Sequence, residues 1–167
     1  DEGGYNFHAS TSSVINQFIT QNGWIYVAPQ APPLGNGYPW YSDGVNSNPV
    51  GIEANAQLLQ DVFETIFSQY NLCRDVLFGA SASGGSWFYD GYFLPTRGDK
   101  YPAFMNLNCG ASGINSGWAS FGLYQKLQAL AADPNLMART RLKYTLGTAD
   151  FLYEYAQVSS ATLSELR

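Results

Sequence analysis

The chain has 167 residues, enough for one domain with a substantial core, and 13% of them are charged. Net charge is −5 and the eight Lys and Arg residues are scattered, so no basic field exists to hold nucleic acid or anionic lipid. No apolar stretch approaches the ~20 residues that a membrane-spanning helix requires.

The first thirteen residues, Asp1 to Ser13, read as a glycine- and serine-rich loop. Ser12 or Ser13 can cap a short helix in which Val14, Ile15, Phe18 and Ile19 recur at helical spacing. Asn22-Gly23 ends it, and Trp24–Ala28 is expected to be a buried strand that Pro29 stops. A long loop from Pro29 to Asn48 follows, rich in Pro, Gly and aromatic residues. Its Tyr38, Trp40 and Tyr41 are candidates for contact with a substrate, or for anchoring the loop by burial. Pro49 suits the first turn of the next helix, and Ile52, Leu59, Val62, Phe63, Ile66, Phe67 and Tyr70 mark its apolar stripe.

Asp75–Gly79 reads as a short strand running directly into Ala80-Ser81-Ala82-Ser83-Gly84-Gly85. Trp87 to Phe93 is a helical or irregular apolar segment, and Ala103–Asn108 is a third strand ending at Cys109-Gly110. A helix around Leu123 to Ala132 leads to a fourth strand at Leu142–Leu146, then to Gly147-Thr148-Ala149-Asp150, and a last helix covers Tyr153 to Leu166. Strands alternating with helices predict an α/β fold, a mostly parallel sheet with helices on both faces. Such sheets bind ligands beyond the carboxyl ends of their strands, where the serine cluster and Asp150 both fall. Cys73 precedes one strand and Cys109 follows another, at opposite ends of a parallel pair, so no disulfide is expected between them.

A serine is a poor nucleophile until a base removes its proton. In a strand–turn–helix elbow, small residues two before and two after the serine let strand and helix approach, and the helix start presents N–H groups to a developing oxyanion. Gly79-x-Ser81-x-Ser83 meets this spacing, with Ser83 where a second glycine is usual, and puts Ser81 at the turn. Ser83 is flanked by small residues too, Ser81 and Gly85, and is the alternative occupant.

Val76 to Gly85, together with Tyr144 to Asp150, resembles the α/β-hydrolase superfamily, above all its serine esterase and polymer-depolymerase branches. The resemblance implies a hydrolase of carboxylic esters working through an acyl-enzyme. Ser81 is its expected nucleophile, Asp150 the triad acid, and the backbone N–H groups of Ala82 and Gly3 the oxyanion donors. No metal or organic cofactor is implied, and the substrate is a small or polymeric ester. Composition of this kind is common in secreted enzymes, which places the protein outside the cell or in a periplasm.

The family's histidine follows its acid, whereas the one histidine here is His8. As base it would break the family's order; otherwise it is a loop histidine bonded to backbone or solvent. The base is therefore expected from outside this sequence, with residues 1–167 read as an incomplete single domain lacking the early strands and the final strand. A missing segment or another chain would complete the sheet. A non-catalytic carbohydrate- or polymer-binding protein, or a structural subunit, on the same scaffold is the alternative.

Overall fold

The structure is a computed structural model that describes residues 17, 19–31, 40, 49–75, 77–112 and 123–165. Three strands form one sheet in the order β1 (Leu77–Ala82), β2 (Ala103–Asn108) and β3 (Arg141–Thr145), and both pairings are parallel. Residues 17 and 19–22 are helical, where a short helix was expected. From Pro49 onward the helices among the described residues are α1 (Pro49–Gln69), α2 (Gly84–Phe88), α3 (Leu94–Arg97), α4 (Leu123–Ala131), α5 (Pro134–Arg139) and α6 (Tyr153–Glu165), with a π-helical turn, Tyr89–Phe93, joining α2 to α3.

Side chains alternate across a strand, and the register sorts them into two unlike faces. One face carries Leu77, Ser81, Ala103, Met105, Leu107, Leu142 and Tyr144. Against it packs an aromatic-rich core that includes Ile52, Ala56 and Leu59 of α1 with Phe88, Tyr89, Phe93 and Leu94. Ile52, Ala56 and Leu59 recur at helical spacing, which is why α1 buries that stripe. Its Phe63 meets Phe93 edge-on at 6.0 Å and Tyr101 at 5.2 Å. On the flank of this stripe Glu53 accepts from the Tyr92 hydroxyl at 2.9 Å and pairs with Arg97, while Gln60 accepts from Arg97 Nε at 2.9 Å.

The opposite face carries Phe78, Ala80, Phe104, Asn106, Asn108, Arg141, Lys143 and Thr145 and is largely open among the described residues; Phe78 is 56% exposed. Helices on both faces were the expectation for a parallel sheet, yet the described helical core lies on one. The composition of the open face fits that exposure. Thr145 donates to Asn106 at 2.9 Å, Asn106 to Asn108 at 3.3 Å, and Asn108 to the Ser81 carbonyl at 3.1 Å, a polar ladder that would be costly in a dry core.

Trp24–Ala28 is not a strand. These residues are irregular, and Trp24 stacks on Phe78 at 5.1 Å with 15° between the rings. Strand propensity without a neighbouring ladder does not hold a strand, and no ladder partner stands beside this segment among the described residues. The short helix α5 was not expected, although Asp133 caps it by accepting from the Asn135 and Leu136 amides at 2.9 and 3.3 Å and Pro134 occupies its first turn. Cys73 and Cys109 are both free and exposed.

The two faces should respond differently to truncation. Leu107, fully buried between sheet and helices, should lose about 2–5 kcal/mol on Leu107→Ala. Phe78→Ala, on the open face, should cost less than about 1.5 kcal/mol, since much of the ring is already in water. Urea unfolding of both variants checks this, and equal losses would contradict the one-sided packing.

Candidate active site

Beyond its expected end, β1 continues for three residues because its ladder with β2 does. Ala80, Ser81 and Ala82 pair in register with Asn106, Leu107 and Asn108. The last rung is the Ser83 N–H donating to the Asn108 carbonyl at 2.9 Å. The turn therefore falls on Ser83, whose backbone adopts φ 51° and ψ −125°, a conformation that favours glycine. A non-glycine residue in such a region costs on the order of 1–3 kcal/mol and persists only where its neighbours enforce it. The Ser83 carbonyl accepts from the Ser86 and Trp87 amides at 3.0 and 3.2 Å, which starts α2 in the very next residue.

Ser81 has a different environment. It lies within β1 on the helix-covered face, and its Oγ is 3.0 Å from the Oγ of fully buried Ser86. Ser86 donates onward to the Asn108 carbonyl at 3.2 Å, which leaves Ser81 as the donor of the pair. The Ala82 amide belongs to β1 as well; the residue following the strained turn is Gly84, the first of α2. Gly3 lies outside the described residues, as do His8, Tyr38 and Tyr41. Trp40 is in the core at 9% exposure, packed on Phe88 at 5.3 Å, and its carbonyl accepts from Asn55 at 2.8 Å.

Asp150 lies past the carboxyl end of β3 in a turn closed by its own N–H donating to the Gly147 carbonyl at 3.0 Å. Its Oδ1 accepts from the Leu152 amide at 2.9 Å, fixing one edge of the carboxylate at the start of the last helical segment. Ser83 and Asp150 thus follow strands of one parallel sheet and lie on the same rim, with β2 between their strands. Among the described residues no cluster of three or more His, Cys, Asp or Glu side chains could hold a metal ion.

The sequence reading missed Asp90. This carboxylate is fully buried in the π-helical turn that follows α2. Both of its oxygens accept from the Ser112 amide, at 3.0 and 3.2 Å, and Oδ2 also accepts from the Tyr144 hydroxyl at 3.1 Å. Ser159 of α6 adds a further side-chain hydrogen bond. One acid thus joins four parts of the chain. The signal in sequence is its setting: it interrupts Trp87 to Leu94, a run otherwise of aromatic, glycine and leucine residues with no polar face to receive it.

Loss of solvation by burial pushes Asp90 up to about 7, although its hydrogen bonds to Ser112, Ser159 and Tyr144 pull the other way. Burial likewise raises the Tyr144 hydroxyl, and the neighbouring Asp90 charge raises it further.

No family model, curated protein or solved structure matches this chain.

Asp90 gives stability a definite pH dependence. An unfolded aspartate titrates near ~3.9, below the folded value of about 7, so folding favours the neutral acid. The stability it contributes is complete below about pH 4 and is lost as pH rises through about 7, by on the order of 4 kcal/mol. Asp90→Asn is neutral throughout, so wild type should weaken relative to this variant between about pH 4.5 and about pH 8. Urea unfolding at the two pH values measures the gap; a gap that does not move with pH would contradict it.

Proposed function

We propose that the protein is a serine hydrolase of the α/β-hydrolase type that cleaves carboxylic esters through an acyl-enzyme, with Ser83 as nucleophile. One observation carries this reading: a serine, not a glycine, holds a positive φ of 51° at the junction of a parallel strand and a helix. That backbone is expensive for any residue with a side chain, and a strand-to-helix elbow is where hydrolases spend such strain to present a hydroxyl. Ser81 fits the role less well because its hydroxyl turns into the helix layer towards Ser86.

In this mechanism Ser83 Oγ attacks the ester carbonyl carbon while a histidine supplied from outside the 167 residues takes its proton. The oxyanion receives the Gly84 N–H, an amide at a helix start that lacks an intrahelical acceptor. Collapse expels the alcohol, which takes the proton from the imidazolium, and water then releases the acid from Ser83 by the same path in reverse. Asp150, with Oδ1 held by Leu152, offers Oδ2 to the imidazole N–H.

Hydrolysis of a short p-nitrophenyl ester tests this, using the chain within its complete reading frame and, separately, residues 1–167 alone. The complete product should be active and the isolated segment nearly inactive. Ser83→Ala should reduce the rate to background and Asp150→Asn should reduce it by roughly 10⁴-fold, whereas Ser81→Ala keeps most of it. Activity that survives Ser83→Ala would sink the assignment, and folded complete protein without esterase activity would favour a binding module on this scaffold.

A further inference from the structure

We infer that Asp90 is a positioning residue for the proposed reaction: through Ser112 and Gly110 it holds the strained Ser83 turn in place. This role rests on the serine-hydrolase reading, and its geometry begins at Gly110. A Cβ built there would lie 2.3 Å from the Ser83 carbonyl oxygen and 3.0 Å from Ser86 Cβ, so the backbone after β2 forms a wall directly against the turn. That wall is buried throughout, at Gly110, Ala111 and Ser112. Two tethers flank it. Before it, the Cys109 N–H donates to the Thr145 carbonyl at 3.0 Å; after it, the Ser112 N–H donates to both oxygens of Asp90.

Asp90 also stands one helical turn beyond Trp87, whose amide binds the Ser83 carbonyl. The same acid therefore grips the helix that receives Ser83 and the wall behind it. Released from Asp90, the Ser112 end of the wall can move away, and Ser83 can relax towards an ordinary φ. A displacement of about 1 Å at a nucleophile is enough to cost on the order of 10²-fold in rate. Tyr144 and Ser159 bind Asp90 from β3 and α6 rather than from the loop after β2, so they separate positioning from general stability.

The experiment follows inactivation of the complete protein by a fluorophosphonate, with saturation kinetics to separate the maximal rate kinact from the half-saturating concentration KI. Asp90→Leu keeps about the same size and removes both acceptor oxygens. Its folded molecules should lose at least about tenfold in kinact with KI unchanged. Tyr144→Phe and Ser159→Ala, destabilised to a similar degree, should keep the wild-type kinact. Should Asp90→Leu fail to fold, Ser112→Pro, which deletes the donated hydrogen, gives the same readout. Wild-type kinact in folded Asp90→Leu would overturn the inference, and so would losses that track stability across all three Asp90-site variants. A wild type that is not labelled at all would instead remove the hydrolase reading, and this role with it.

Discussion

The strained backbone of Ser83 is the constraint on which the surrounding structure depends. A parallel strand and the helix after it run in nearly opposite directions, and here the reversal is completed in a single residue. The ladder from β2 holds the chain up to the Ser83 N–H, and two amides of α2 capture the Ser83 carbonyl. Between those fixed ends a positive φ is what remains, at a cost on the order of 1–3 kcal/mol that neighbouring contacts must offset. Gly110 is small for the same reason: any side chain there would occupy the space of the Ser83 carbonyl.

Asp90 is the polar counterpart of that turn within an apolar core. A buried carboxyl is stable only when its oxygens are satisfied, and these accept from an amide and two hydroxyls on separate segments. Even so, burial outweighs the hydrogen bonds, which holds the acid near neutrality. Leucine here would remove the acceptor of the Ser112 amide and of the Tyr144 hydroxyl, at a cost on the order of 1–3 kcal/mol for each buried donor left unsatisfied. Keeping an acid there links the trailing loop of β2 to the helix after the turn by direction as well as by contact.

Much of this arrangement was legible in the residues. The strand at Ala103–Asn108 and most of the stripe of α1 follow from β propensity and helical spacing, although Tyr70 falls just past α1 and is 52% exposed; the strand before Asp150 lies within one residue of its expected place. Two features were not legible. Both serines of Gly79-Ala80-Ser81-Ala82-Ser83-Gly84-Gly85 have small residues two positions away on either side, so local spacing cannot choose between them. The choice is made by the six-residue length of β1, fixed by pairing with β2 far along the chain. Trp24–Ala28 failed for the converse reason: its propensity was visible, but whether a strand forms depends on a neighbour that local sequence does not specify.

The central claim is that the reactive hydroxyl belongs to Ser83, the serine whose backbone has a positive φ. Treating the complete protein with a fluorophosphonate, digesting it and sequencing the modified peptide by tandem mass spectrometry identifies the serine directly. The account predicts an adduct on Ser83 with Ser81 unmodified; an adduct on Ser81, or one spread evenly over both serines, would contradict it.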